Sequence, residues 1–188
     1  MDDSGQTALI VAVPQVEALV GRFRAQYDPA SAEGVPAHVT VVYPFLPPRL
    51  ITEPVVETLR QIFGSVPGFL TTFSEVRKFP GVLYLAPVPA EPFRQLIHRV
   101  VSVFPDARPY AGQFSDVVPH LTVAHGRDPV QLETIATELA LASSGSLPIH
   151  AHIREVTLIE KQRGRWRTQM PFPLGREGDA AGLRPQEP

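Results

Sequence analysis

The chain has 188 residues, of which 44% are hydrophobic and 19% are charged, and its formal net charge is only −2. This length and apolar content suffice to bury a core within one domain. The near-neutral balance argues against a non-specific binder of duplex nucleic acid, which needs a strongly basic surface. The chain contains no cysteine, which excludes disulfides, thiolate nucleophiles and cysteine-ligated metals.

The N-terminal segment shows no sign of export. It reads Met1-Asp2-Asp3-Ser4, whereas a secretory signal begins with a basic region. No apolar run approaches the roughly 20 residues that span a bilayer. We therefore expect a cytoplasmic protein without a membrane partner, and a monomer is the default expectation for its assembly.

The first half of the chain is predicted to mix short strands and helices, because its many prolines interrupt both. An apolar, β-branched run predicts a buried strand at 7–13. Apolar residues spaced by three and four then predict a helix at 16–26. The later elements predicted for this half are a strand at 38–43, a helix at 52–63, strands at 69–79 and 82–88 joined through Pro80-Gly81, and a helix at 92–104.

The second half is predicted to begin with a loop at 105–118, followed by a strand at 120–125 and a helix that Pro129 opens. A hairpin around Gly164 is predicted from the runs 147–160 and 166–174. Strands and helices mix without strict βαβ alternation, which favours an α+β fold with largely antiparallel sheets. We predict a single domain at 1–175, and a disordered polar tail at 176–188.

Two similar tetrapeptides carry the chemistry. His38-Val39-Thr40-Val41 and His120-Leu121-Thr122-Val123 each open a predicted strand after a proline-containing loop. Because strand residues alternate sides, His and Thr share one face of each strand and the apolar residues share the other. The two copies therefore predict two polar strand faces that look into a common cleft.

These residue types suit the hydrolysis of a phosphodiester. In-line attack needs a base that takes a proton from water and an acid that protonates the leaving oxygen. Histidine titrates near neutrality and can serve either role. Threonine hydroxyls beside the histidines can donate hydrogen bonds to the non-bridging phosphate oxygens. His38, Thr40, His120 and Thr122 are therefore the candidate catalytic residues.

The two motifs resemble those of the 2H phosphoesterase superfamily, which includes 2′-5′ RNA ligase-like proteins and cyclic nucleotide phosphodiesterases. The resemblance extends over most of residues 7–175, including Tyr43-Pro44-Phe45, the stretch from Phe79 to Leu85, Pro119, and Phe172 to Gly175. It implies a bilobal fold in which two pseudo-symmetric lobes, flanked by helices, enclose the active-site cleft. It also implies catalysis without a metal or other cofactor.

The chain departs from the RNA-ligase-like branch at two places. Phe-Leu-Gly usually follows the first motif of that branch and an arginine follows the second, whereas this chain has Tyr43-Pro44-Phe45 and His125. RNA ends and smaller cyclic phosphates therefore both stay open as substrates. The resemblance implies a hydrolase of a nucleotide-like or RNA-end phosphodiester, and the alternative is a non-catalytic protein that binds nucleotides or RNA ends.

Several other residues are candidates for substrate or metal binding. Tyr43 and Phe45 could stack on a base, although Tyr43 shares strand parity with Val41, which favours core packing. Arg127 could attract phosphate. His125 lies an odd number of residues from His120, so it is predicted to be on the other face of the strand and to point away from the cleft. Trp166 is interpreted as a core residue of its strand. His150 and His152 share a strand face and could form half of a metal site, but a solvent-facing strand is favoured.

Overall fold

The computed structural model of the protein describes residues 5–107, 117–126 and 128–176. Within these residues, eight strands form one sheet, accompanied by five α-helices and two short 3₁₀ helices. The strands are β1 (Thr7–Ala12), β2 (His38–Val42), β3 (Phe69–Phe79), β4 (Val82–Val88), β5 (Leu121–His125), β6 (Ile149–Ile153), β7 (Glu155–Gln162) and β8 (Arg165–Pro173). The α-helices are α1 (Glu17–Tyr27), α2 (Pro29–Ala32), α3 (Glu53–Gly64), α4 (Glu91–Val103) and α5 (Pro129–Ala142).

The sheet consists of two four-stranded halves that meet at its centre. The strand order is β6-β3-β4-β5-β2-β1-β7-β8, and each pairing between these strands is antiparallel. The two motif-bearing strands, β2 and β5, are the central pair, and each half continues outward from its own motif strand. The predicted α+β class with antiparallel sheets is confirmed, and the two lobes are halves of one continuous sheet.

The sheet is strongly curled, as the connection between β6 and β7 requires. These strands lie six positions apart, which would be about 29 Å in a flat sheet, yet only Arg154 separates them in the chain. A link of this length spans well under about 10 Å, so the ends of the sheet must bend towards each other. The prediction of one strand at 147–160 was wrong, because the chain changes from one half of the sheet to the other at Arg154.

Helices α1, α3, α4 and α5 pack on the convex face of the sheet and form the main core there. Val39 and Val41 of β2 and Leu121 and Val123 of β5 belong to this core. The buried helix residues are Leu19, Val20 and Phe23 of α1, Val56, Leu59, Ile62 and Phe63 of α3, Phe93, Leu96, Ile97 and Val100 of α4, and Leu132, Ile135 and Leu139 of α5. The apolar sides of the motif strands are thus sealed, which leaves their polar sides on the concave face.

Two turns follow the sequence signals closely. Gly81 has a φ of 81° between β3 and β4, and Arg163 and Gly164 have φ of 50° and 77° between β7 and β8. Such positive values suit tight hairpin turns. The short helix α2 was not predicted; Pro29 begins it, and the Asp28 side chain caps it by accepting from the Ala30 N–H. Most of the predicted loop at 105–118, and the predicted tail beyond Arg176, lie outside the described residues.

None of the described helices combines the length and the apolar character that crossing a membrane would require.

A buried ion pair fixes the segment that leads into β2. Arg24 on α1 and Asp28 each have side chains only 1% exposed. The Arg24 guanidinium donates to Asp28 Oδ2 from Nε at 3.1 Å and from Nη2 at 2.9 Å, and Nη2 also donates to the Val35 carbonyl at 3.1 Å. The Ala37 N–H donates to Glu17 Oε2 at 3.1 Å. These contacts tie α1 to the residues immediately before His38.

We expect Arg24→Met to destabilise the protein strongly, because it leaves the Asp28 carboxylate buried without its cation. Loss of one partner of a buried pair costs about 3–5 kcal/mol, measurable as the free energy of unfolding in urea. Arg60→Met is the matched control, since Arg60 pairs with Glu53 and Glu57 on the exposed surface of α3, where such pairs contribute little. Equal effects of the two substitutions would contradict this role for Arg24.

Candidate active site

The two motifs meet side by side at the centre of the sheet. β2 and β5 are antiparallel, with Val39 directly opposite Leu121. Extending this register by one residue each way places His38 opposite Thr122 and Thr40 opposite His120. Opposed residues have Cβ atoms about 5 Å apart, and diagonal ones about 7–8 Å. The two histidines therefore lie on one diagonal of a four-residue array and the two threonines on the other.

This array lies in a concave cleft. All four side chains line a cavity of about 260 Å³, together with Ala8, Ile10, Asp28, Ala30, Glu33, Val35, Tyr43, His125, Ile159 and Trp166. A wider groove of about 860 Å³ lies between α3 and α4 on the helical side. It contains none of the motif residues, so the smaller cavity is the one that matches the chemistry of the sequence.

Each motif strand contains a β-bulge directly after its threonine. On β1, Leu9 pairs with Val42 and Ile10 pairs with Thr40, so Val41 is an extra residue in β2. On β4, Leu83 pairs with Ala124 and Tyr84 pairs with Thr122, so Val123 is the corresponding extra residue in β5. A bulge changes the alternation of sides beyond it. The two bulges occupy equivalent positions, three residues after each motif histidine.

The bulges turn Tyr43 and His125 into the cleft. Val41 and Val42 are both buried in the main core, as are Val123 and Ala124, and the next residue of each strand lines the cavity. The expectation that His125 points away from the cleft was therefore wrong. Tyr43 packs against a small buried cluster, as expected of a core residue, but this cluster lies on the concave face and Tyr43 also lines the cavity. The sequence signal for each bulge is the pair of consecutive apolar residues after His-x-Thr. A prediction that assumes regular alternation of sides along the whole strand misses this signal.

Both motif histidines are oriented in the same way. His38 Nδ1 lies 2.8 Å from the Pro36 carbonyl, and His120 Nδ1 lies 2.8 Å from the Val118 carbonyl. A carbonyl oxygen only accepts, so Nδ1 carries the proton in each ring. In the neutral imidazole the lone pair then resides on Nε2. Each motif thus uses the carbonyl two residues before its histidine to select the tautomer.

Burial favours the neutral form of both histidines. Desolvation lowers the pKa of His38 to about 4, and the nearby Arg24 charge acts in the same direction, while the hydrogen bond to the Pro36 carbonyl opposes it. Desolvation also lowers the pKa of His120, with His125 adding to the effect. Removing a charged imidazolium from water is costly, so His38 in particular is an unprotonated base at neutral pH.

Aromatic side chains hold His120 from the β4 side. Phe79 and Tyr84 stack with their centroids 4.2 Å apart. The His120 ring contacts Phe79 at 5.1 Å and Tyr84 at 5.5 Å, both in edge-on geometry. Such contacts restrict the rotation of the imidazole. This half of the cleft is therefore filled by protein side chains next to the motif.

The other half of the cleft is an apolar pocket. Ala8 and Ile10 of β1 and Ile159 of β7 form a small cluster with Val35 on the concave face. Tyr43 and Trp166 pack against this cluster and contact each other edge to face, with centroids 5.7 Å apart. Trp166 therefore lines the cleft and is not part of the main core. The two pseudo-symmetric halves thus differ in the space that they leave open.

Asp28 brings a carboxylate to the cleft. Its Oδ1 lies 3.9 Å from Nε2 of His125, and its other oxygen is held by the buried Arg24. The sequence analysis did not select Asp28. Asp28 follows the end of α1, and it reaches the cleft only because the fold brings this end close to His125 of β5. The acidic group that faces the cleft at this point is therefore already paired with a buried cation.

Phe45, His150 and His152 do not line the cleft. Phe45 is 6% exposed in the main core and packs edge to face on Phe104, with centroids 5.4 Å apart, so its predicted substrate contact was wrong. Arg127 lies outside the described residues. His150 and His152 lie on β6, where His150 Nδ1 is 3.0 Å from Thr72 Oγ1. Among residues 5–107, 117–126 and 128–176, no three metal-ligating side chains come together.

The cleft and the curled antiparallel sheet define a protein of the LigT-like, 2H phosphoesterase fold, and the comparisons agree. LigT from E. coli in complex with 3′-AMP is 19% identical, with a TM-score of 0.57 over 93% of this chain and 100% of its own. TT0787 of Thermus thermophilus is 16% identical, with a TM-score of 0.62 over 92% and 99% of the two chains. At these identities the similarity shows the fold alone.

The family is shown by the sequence. A model of the 2′-5′ RNA ligase superfamily matches residues 12–165, so this chain belongs to that superfamily. The resemblance to 2H phosphoesterases stated from the two motifs is thereby confirmed. No curated protein sequence matches the chain.

We expect His38 to make stability depend on pH. Its pKa of about 4 in the folded protein lies below the value near about 6.5 of an unfolded chain. The folded state therefore binds fewer protons than the unfolded state between these two pKa values. The contribution of His38 to the free energy of unfolding is complete above about pH 6.5 and decreases as the pH falls towards about 4. Urea unfolding at pH 7 and pH 5 should show a smaller loss for His38→Asn than for wild type. Imidazole NMR shifts should place the midpoint for His38 near pH 4, and a midpoint at about 6.5 would contradict the burial effect.

Proposed function

We propose that this protein is a metal-independent phosphoesterase that hydrolyses a cyclic phosphate or phosphodiester of a nucleotide or RNA end. The observation that carries the proposal is the four-residue array across β2 and β5. It sets two imidazoles diagonally, each with Nδ1 held by a carbonyl, so that both Nε2 atoms are the reactive ones. A phosphate between them has an imidazole on each side and a hydroxyl on each side.

His38 is the base in this proposal and His120 is the acid. Nε2 of His38 takes a proton from water, whose oxygen forms the new bond to phosphorus. The bond from phosphorus to the leaving oxygen breaks on the opposite side, and that oxygen receives the Nε2 proton of a protonated His120. The anionic phosphate of the substrate favours this charged form, against the desolvation that lowers the pKa of His120 in the free cleft. Desolvation lowers the pKa of His38 to about 4, which supports its role as the base. Proton exchange with solvent then restores both rings.

Thr40 and Thr122 lie between the histidines and donate their hydroxyls to the non-bridging oxygens. These oxygens gain charge as the attacking oxygen approaches, and donors that are already in position stabilise that charge. The apolar pocket beside Tyr43 accommodates the nucleoside, since nucleobases stack on aromatic rings. Related structures are described as complexes of LigT with 3′-AMP, NADP⁺ and ATP, which supports a nucleotide-like ligand for this cleft.

We expect His38→Ala and His120→Ala each to reduce kcat by about 10²–10⁴-fold, the range for loss of a general acid or base. Hydrolysis of 2′,3′-cyclic nucleotides and 2′-5′-linked dinucleotides, in EDTA, is the measurement. His98→Ala is the matched control, since His98 lines the groove on the helical side. Full activity in both motif variants would refute the mechanism. Nucleotide binding without turnover by wild type would favour a binding protein instead.

A phosphodiester with a nitrophenolate leaving group separates the two roles. This group departs without protonation, so His120→Ala should lose far less activity on it than on a nucleotide substrate. His38→Ala should lose as much on both, because attack still needs a base. A smaller loss for His38→Ala than for His120→Ala on this substrate would show that His38 is the acid and His120 is the base. The two-histidine mechanism itself would still hold.

We expect Thr40→Val and Thr122→Val each to lower kcat by about 10²–10³-fold, as loss of one oxyanion donor does. Valine keeps the β-branched shape, so the fold should be retained. Steady-state kinetics should show little change in KM, because the hydroxyl acts on charge that develops in the transition state. A large rise in KM with unchanged kcat would assign the threonines to ground-state binding instead.

A further inference from the structure

The apolar pocket runs from the motif residues towards the outer strands of one half of the sheet. β1 is adjacent to β2, and β7 and β8 follow, at spacings of about 4.8 Å. Ile10 lies one strand from the array, Ile159 lies two strands away, and Trp166 lies three. The floor is apolar along this direction, and its far end carries a carboxylate, that of Glu33.

Glu33 is held in place by three hydrogen bonds. Its backbone carbonyl accepts from the Trp166 N–H at 2.8 Å, Oε2 accepts from the indole Nε1–H of Trp166 at 3.1 Å, and Oε1 accepts from Lys161 Nζ at 2.8 Å. The Lys161 hydrogen bond holds the pKa of Glu33 below its usual range. The group is therefore an ionised carboxylate with a defined direction, 37% exposed at the edge of the cavity.

An ionised carboxylate at this place can only accept hydrogen bonds. Its two oxygens offer about four lone-pair sites, and Trp166 and Lys161 occupy one on each oxygen. A ligand edge that presents two adjacent N–H donors would satisfy the remaining pair. An edge that presents an acceptor there would face the lone pairs directly, which is unfavourable.

We propose that Glu33 makes this pocket a nucleobase subsite selective for guanine. The base lies on the apolar floor against Trp166 and Tyr43, and its N1–H and N2–H donate to the two carboxylate oxygens. This inference rests on the proposed function for the location of the phosphate, and it adds the identity of the base.

Guanine is the base whose Watson–Crick edge suits this acceptor pair. Its N1–H and exocyclic amino group are adjacent donors. Adenine offers its amino group beside the acceptor N1, and cytosine offers its amino group beside the acceptor N3. Uracil places one N–H between two carbonyls. A bidentate contact of this kind discriminates between bases by about tenfold or more.

The competing explanation is that Glu33 only fastens the segment at 28–36 to the β7–β8 hairpin. Glu33→Gln separates the two roles. The amide oxygen can still accept from the indole N–H, and the backbone hydrogen bond to Trp166 is kept. The amide nitrogen replaces the other acceptor by donors, so the hydrogen bond from Lys161 is lost. A fastening role predicts an equal loss for all nucleotides, whereas a recognition role predicts a change in the ratio between bases.

Trp166 provides a readout that does not depend on turnover. It is the single tryptophan of the chain, so a base that stacks on it should quench the fluorescence of the protein directly. Titration of the full chain with 3′-GMP and 3′-AMP measures both dissociation constants. Glu155→Gln is the matched control, because this substitution removes the same charge. Glu155 is exposed at the start of β7, whereas Lys161 lies near the other end of that strand.

We expect wild type and Glu155→Gln to bind 3′-GMP about tenfold more tightly than 3′-AMP, and Glu33→Gln to bind the two within about twofold. Equal dissociation constants in wild type would overturn the guanine preference. A preference that survives in Glu33→Gln would overturn the role of Glu33, and absence of quenching by either nucleotide would overturn the subsite. Hydrolysis of 2′,3′-cyclic GMP and AMP, measured in parallel, tests the proposed function independently.

Discussion

The antiparallel pairing of β2 with β5 is the interaction on which the site depends. These strands are about 80 residues apart in the chain, and the structure pairs them through Val39 and Leu121. The pairing closes a long loop, which costs conformational entropy, and burial of the apolar sides of both strands against the helices on the convex face opposes that cost. The same pairing places two histidines and two threonines on the concave face.

The near-symmetry of the two halves has a direct structural expression in the two bulges. Each begins at the residue that follows the motif threonine, and each places two successive apolar residues in the core. The repeated unit is therefore longer than the tetrapeptide, since it runs from His38 to Tyr43 in one half and from His120 to His125 in the other. A symmetric backbone thus presents two chemically different side chains, a phenol and an imidazole, at equivalent places.

The two halves of the cleft differ in the side chains that line them, and therefore in the space that they leave for a ligand. On the β4 side, Phe79 and Tyr84 fill the space and hold the ring of His120. On the β1 side, small and aliphatic residues leave a pocket that ends at Trp166 and Glu33. Within the cavity that contains the array, the apolar lining therefore extends towards β7 and β8. In the proposed function, the symmetric array supplies the chemistry and the residues of the asymmetric pocket supply the binding.

Much of the architecture was predictable from local patterns. The strands at 7–13 and 38–43 and the helices near 52–63 and 92–104 agree with the structure to within a few residues, because their apolar periodicity and proline boundaries act within each segment. The two His-x-Thr motifs predicted polar strand faces for the same reason. The predicted strand at 147–160 failed, because its apolar run continues through Arg154 while the chain crosses between the halves of the sheet.

The sequence by itself determined most of the elements, the family, and the His and Thr that share one face of each motif strand, since alternation along a strand is a local property. Only the tertiary structure decided that the motifs are adjacent and that Tyr43 and His125 enter the cleft. It also decided that Phe45 is buried, and that Asp28, Glu33 and Trp166 line the same cavity. These outcomes depend on strand register, bulges and the curl of the sheet. Each of these arises from contacts between residues far apart in the chain, which no local pattern contains.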